Sequence, residues 1–253
     1  MADFLISPTI IATLFFIVAL AYSSVGLGGG SSYTALLAIA GYNAAAIPMI
    51  SLTLNLIVTS IGSFNFIRNK HANFRLVAPF LMSSMPMAYL GGALQLPKAF
   101  FFRLLLVALL FVAARIYLWK DTTFHLEPGN SGKIVISLVA GSVLGLVAGI
   151  TGIGGGIFLV PLIIILGLGT VKEAAACGAI FIWLNSLAGL VSRLQYNAID
   201  LQEHVPLIVA VILGGTLGSL LGSSRLSRNA MEKILGVIIL VAIVFLVRKL
   251  QAG

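Results

Sequence analysis

The chain has 253 residues, 60% of them hydrophobic and 9% charged, with a net charge of +8 and a mean hydropathy of +1.13. Soluble globular domains carry roughly 25% charged residues, so this composition excludes them and leaves a protein of the lipid bilayer. The positive balance does not point to nucleic acid, because the Lys and Arg residues are scattered at the ends of apolar segments, where they anchor helices and orient loops.

The expected fold class is an all-α polytopic membrane protein. Charge-free windows and turn signals delimit eight apolar segments, at 8–40, 44–66, 74–96, 98–119, 133–168, 172–196, 204–224 and 229–250. They are continuous runs, unlike the short alternating strands of an outer-membrane barrel. From Phe4 to Ile67 there is not one Asp, Glu, Lys or Arg. One helical crossing needs roughly 20 apolar residues, so this stretch enters the bilayer more than once. Ala19-Leu20-Ala21 after an apolar run is one feature of a signal peptide, but Asp3 and the lack of any earlier Lys or Arg argue against cleavage.

The first segment is too long for an ordinary span. A straight helix over 8–40 would measure roughly 50 Å, against a hydrocarbon core of roughly 30 Å. Its middle holds Gly26-Leu27-Gly28-Gly29-Gly30. Each glycine costs a helix about 1 kcal/mol relative to alanine, so the cluster favours a break. The second segment opens on Ala44-Ala45-Ala46 and carries Asn55 near its centre. After the third and fourth segments comes the most polar stretch, Lys120 to Lys133, with Asp121, His125, Glu127, Pro128, Gly129 and Asn130. It reads as a loop between two halves, 1–125 and 126–253.

The second half repeats the first. Gly26 to Gly30 recurs as Gly152-Ile153-Gly154-Gly155-Gly156, an offset of 126. Extra residues near Gly167-Leu168-Gly169-Thr170 move the offset to 130, where Ala44 to Ala46 fall on Ala174 to Ala176, Asn55 on Asn185, Gly92 on Gly222 and Leu96 on Leu226. The expectation is therefore two four-segment repeats, the first segment of each broken or re-entrant. Full crossing by those segments makes the repeats parallel and divides Lys and Arg 9 to 6 between the two sides. Re-entrance makes them inverted and divides the same residues 10 to 5. The positive-inside bias favours the inverted arrangement, with loops 67–75 and 120–133 cytoplasmic.

Paired broken segments mark the substrate site of many secondary transporters. A break frees amide N–H groups at the positive end of the following half-helix, which suits an anion. The candidate substrate-binding residues are Gly28, Gly29, Gly30 and Ser31 in the first half and Gly154, Gly155 and Gly156 in the second, with Ser24, Ser32 and Thr151 as nearby hydroxyls. Small residues also let membrane helices pack closely, the simplest reading of Gly218 and Gly222. Asn55 and Asn185 complete the set, as buried amides that either bond across helices or face a wet cavity. Thr53, Thr59, Ser60 and Ser186 are weaker candidates, because hydroxyls bond back to their own helix.

Asp3, Asp121, Glu127, Glu173, Asp200, Glu203 and Glu232 all lie near segment ends or in loops. No carboxylate is expected at mid-membrane, which argues against a cation pump. Arg103, Arg115 and Arg193 near segment ends read as side chains snorkelling to the interface or as part of an anion entry path, and Trp183 as core packing. His71, His125 and His204 are poorly placed as catalytic bases, and no hydrolase elbow, HExxH or Walker motif appears, so neither an enzyme, a metal nor a cofactor is expected. Cys177 stands alone and forms no disulfide framework.

The duplicated Gly26 to Gly30 and Gly152 to Gly156, the latter followed by Phe158-Leu159-Val160-Pro161 and an Ala-rich segment start, resembles the TauE/SafE sulfite exporter family over nearly the whole chain. The second copy is the closer match, since Ala35 stands where the second copy has Pro161. The resemblance implies a multi-pass protein of the prokaryotic cytoplasmic membrane that moves sulfite, organosulfonates or related sulfur anions, usually outward. The expected function is a secondary transporter with alternating access around a midplane site. An anion channel and a non-transporting membrane scaffold are the alternatives, and the expected partners are a small sulfur anion and membrane lipids, with homo-oligomerisation open.

Overall fold

The computed structural model describes residues 7–24, 26–94, 96–118, 130–198, 200 and 202–221, and in the last segment 237, 239–241, 243–248, 250 and 251. Among these residues all regular structure is helical. The expected half boundary at 125/126, and Gly222, Leu226 and Glu232, lie outside the described residues.

The first apolar segment is two helices, α1 (Pro8–Ser23) and α2 (Gly30–Ile39). Ser7 caps α1 by accepting from the Ile10 N–H, and Pro8 supplies a first-turn residue with no N–H to leave unpaired. Then come α3 (Ala46–Arg68), α4 (Phe74–Ala93) and α5 (Lys98–Tyr117). The fifth apolar segment is again two helices, α6 (Asn130–Thr151) and α7 (Gly156–Ile165). Asn130, assigned to the polar loop from sequence, is the first residue of α6. The chain continues through α8 (Val171–Leu194), a single 3-10 turn at Gln202–His204 and α9 (Val205–Leu221), and a terminal helical stretch covers Ile239–Arg248.

Five described helices are long and apolar enough to cross a membrane, at Ala46–Arg68, Phe74–Ala93, Gly132–Thr151, Lys172–Leu194 and Gln202–Leu220. Those within α3 and α8 are 61% and 67% buried, against 33% for those of α4 and α9, so α3 and α8 form the centre and the others surround it. Around them, α1 packs on α9 and α6 packs on α4. In the register of the expected repeat these are the same pairing with the halves exchanged.

Glycine sets both of these contacts. On α6, a β-carbon at Gly141, Gly145 or Gly149 would collide with the main chain of Phe80, Ser84 or Ala88 of α4. On α9, Gly214 and Gly218 meet the carbonyls of Phe16 and Leu20 of α1 in the same way. A small residue every fourth position lets backbones approach where lipid offers no hydrophobic drive for association. The opposite face of α6 exposes Val135, Val139 and Val143, an apolar surface suited to acyl chains.

The segment joins are also fixed by local chemistry. Thr170 and Glu173 form a capping box at the start of α8. Asn73 caps α4 by accepting from the Leu76 N–H and donates its amide to Glu173 Oε1 at 2.9 Å, tying the start of α4 to that of α8.

We expect Gly145→Val to destabilise the protein by about 1–3 kcal/mol through overpacking against Ser84. Gly62→Ala is the control, since nothing lies within 4 Å of a β-carbon there. Thermal unfolding in detergent should show a lower Tm for the first and an unchanged or higher one for the second.

Candidate functional site

Both breaks fall where the glycine clusters lie. The first spans residues 24–29 and the second 152–155. Gly29 and Gly155, which immediately precede α2 and α7, have φ of 105° and 76°, left-handed backbone that costs an L-residue roughly 1–2 kcal/mol. Neither position is capped by a side chain. Among the described residues, no acceptor meets the N–H groups of Gly28 to Ser32 or of Gly154 to Ile157. Those donors sit at the positive ends of two half-helices.

Most carbonyls of the last helical turns before the breaks are occupied. At the first, Ser24, Gly26 and Leu27 return their N–H groups to Leu20, Ser23 and Tyr22. The end of α6 is closed by a side chain from another helix. Arg193 of α8 donates through Nε and Nη2 to Gly149 O at 3.3 and 2.9 Å, and through Nη2 to Ile150 O at 2.7 Å. Arg193 is only 6% exposed, so the snorkelling expected from its place near a segment end is incorrect. Its stem turns inward because the α6 carbonyls and the negative end of that helix dipole offer the guanidinium a better partner than the interface does.

The two breaks meet across α3. A β-carbon on Gly30 would strike Ile153 O and Asn55 Nδ2. Ser51 donates to Gly152 O at 2.8 Å and lies 3.3 Å from Gly30 O, so one hydroxyl touches both broken segments. One turn along α3, Asn55 Nδ2 donates to Gly152 O at 3.4 Å. Asn55 Oδ1 is buried without a partner and faces Gly28, whose β-carbon would lie 2.6 Å from it. From α8, Ile182 reaches the same place, and Ser186 Oγ, also buried and unpartnered, lies 3.6 Å from where a Gly154 β-carbon would stand.

The predicted residues thus separate into groups. Gly28, Gly30, Gly154 and Asn55 converge. Gly156 packs on Ile182, while Gly29 and Gly155 shape the turns and pack under Tyr33 and Phe181. Ser31 Oγ pairs with the Tyr22 hydroxyl at 2.6 Å, joining α2 back to α1. Thr151 bonds Val147 O and accepts from the Ile153 N–H, Ser24 bonds Ala21 O, and Thr59 bonds Asn55 O. Asn185 differs from Asn55 in its Nδ2, which donates to Phe181 O of its own helix at 2.8 Å, while its Oδ1 is likewise buried without a partner. Trp183 is not core packing but donates to Ser60 Oγ at 2.8 Å, linking α8 to α3 near the surface.

Sequence reasoning missed Ser51 and gave Ser186 little weight. Their only signal was a hydroxyl one helical turn before Asn55 and one residue after Asn185. Among the described residues no group of His, Cys, Asp and Glu is placed to hold a metal.

Paired interrupted segments between long apolar helices define a multi-pass helical membrane protein built as transporters are. The sulfite exporter TauE/SafE family model matches residues 11–246, and the chain belongs to this family. It is 36% identical over 237 residues to the probable membrane transporter protein y4hK of Sinorhizobium fredii, covering 92% of this chain and 95% of that one. It is 28% identical over 234 residues to the probable membrane transporter protein YjnA of Bacillus subtilis, covering 86% and 91%. No solved structure matches.

We expect Arg193→Met to lower stability by about 1–3 kcal/mol, because it strips the α6 carbonyls of their donors inside the protein. Arg193→Lys should recover part of that loss. Thermal unfolding of the purified variants measures both.

Proposed function

We propose that this membrane transporter moves small sulfur-containing anions, sulfite or organosulfonates, outward across the cell membrane. The substrate sits where the two breaks meet, held by main-chain N–H groups of Gly28 to Ser31 and Gly154 to Gly156, with Asn55 as the principal side chain and Ser24, Thr151 and Asn185 supporting the turns and helices around it.

One observation carries the choice of an anion. At both breaks turns and Arg193 close carbonyls of the last helical turn, Leu20 to Ser23 at the first and Ala148 to Ile150 at the second, while the N–H groups of Gly28 to Ser32 and Gly154 to Ile157 meet no acceptor among the described residues. A cation site would need the reverse, carbonyls or a carboxylate free at that depth. The family name and the absence of a mid-segment carboxylate in the sequence point the same way.

The geometry also supports an alternating mechanism. Gly28 to Gly30, Gly154, Asn55 and Ser186 are all buried, so a substrate enters and leaves only if packed elements separate. In our reading the halves 1–125 and 126–253 are inverted repeats. They rock about the α3–α8 pair, and Ser51 marks the contact that each cycle must remake.

In proteoliposomes, efflux of labelled sulfite should saturate with concentration and carry no channel-like current. Asn55→Leu should slow it by about tenfold or more, since a buried hydrogen bond to a charged group contributes about 1.5–3 kcal/mol. Asn185→Leu should slow it less, because its Nδ2 serves its own helix instead of reaching across to a break. Unchanged efflux in Asn55→Leu would remove that residue from the site.

A further inference from the structure

Building on the anion reading above, we propose that the ligand must be a singly charged sulfur oxyanion that brings its own hydrogen-bond donor. Hydrogensulfite, or a hydroxy-substituted sulfonate, meets that requirement. Sulfate, the sulfite dianion and plain alkyl sulfonates do not.

The first observation is an orphaned acceptor. Asn55 is 0% exposed, and its Oδ1 has no partner while facing Gly28 between the breaks. The amide is oriented by Nδ2, which donates to Gly152 O at 3.4 Å, and turning it over would set oxygen against oxygen there. Ser186 Oγ, likewise 0% exposed and unpartnered, faces Gly154 from α8. A hydroxyl rotates to donate or accept, so Ser186 adapts to any ligand. Asn55 Oδ1 only accepts. An aprotic anion offers acceptors alone, so it leaves that oxygen unpaired and repels it. A ligand with an O–H or N–H satisfies it.

The second observation concerns charge. The positive ends of two half-helices, each worth about half an elementary charge, sum to roughly one. The Arg193 guanidinium is engaged by the carbonyls of Gly149 and Ile150 at the negative end of α6. The site therefore balances one negative charge and leaves the second charge of a dianion uncompensated.

The test is calorimetric titration of the purified full chain with two monoanions of equal heavy-atom count, 2-hydroxyethanesulfonate and propane-1-sulfonate, and with sulfate. The hydroxyl-bearing ligand should bind about tenfold tighter than its alkyl counterpart, as sites built around a ligand hydroxyl discriminate against analogues lacking it. Sulfate should bind more weakly than 2-hydroxyethanesulfonate. In Asn55→Leu the ratio between the two sulfonates should fall to about one. Equal affinity of the two sulfonates for the wild type, or tighter binding of sulfate, overturns the donor requirement while leaving the anion site standing. Failure of both sulfonates, sulfate and sulfite to bind overturns the anion site and this inference together. If Asn55→Leu does not fold, the wild-type comparison decides alone.

Discussion

In a bilayer every main-chain N–H and C=O must find its partner within the protein, and the arrangement at the centre of this molecule follows from breaking that rule in two places. Glycine interrupts two helices between Ser23 and Gly30 and between Thr151 and Gly156. Each interruption frees groups of both polarities. The structure disposes of them unequally, closing most of the carbonyls of the last helical turns with turns and with Arg193 and leaving the amides of Gly28 to Ser32 and Gly154 to Ile157 without acceptors among the described residues. That imbalance converts a structural liability into a positively polarised point without placing a free cation at membrane depth.

The remaining helices hold this point in place. Glycine stripes on α6 and α9 bring α4 and α1 to backbone contact. Such contact fixes the incoming halves of the broken segments, α6 and α1, with little side-chain freedom. α3 and α8 fill the middle and bring their few polar groups to the breaks: Ser51 and Asn55 from one, Ser186 and Arg193 from the other. Ser51 and Arg193 are paired, and the unpaired atoms, Asn55 Oδ1 and Ser186 Oγ, lie beside Gly28 and Gly154 at the breaks.

Positions that match in the register of the expected repeat are not used alike. Asn55 reaches across to Gly152, whereas Asn185, its partner in the sequence register, bonds Phe181 of its own helix. Arg193 has Ser63 at the matching position of the first half, and there the carbonyl end is closed by backbone turns instead. The two breaks therefore have their carbonyls closed by different means. Side chains from both α3 and α8 close on one centre.

Sequence alone determined the class, the helical character of the apolar segments within the described residues and the location of both breaks. Those properties are local: hydrophobic length sets a span, and clustered glycine raises the cost of helix within the same few residues. The family resemblance, too, rested on the Gly26 to Gly30 and Gly152 to Gly156 motifs. Which polar groups pair was decided only by tertiary structure. Arg193 near a segment end reads as an interfacial side chain until α6 is seen to end against it, and Asn55 and Asn185 look equivalent until one is seen to face the breaks. Ser51 gave no sign of joining residues as far apart in the chain as Gly30 and Gly152. A hydrogen bond between distant residues depends on the approach and rotation of whole helices, which no periodicity within one segment encodes.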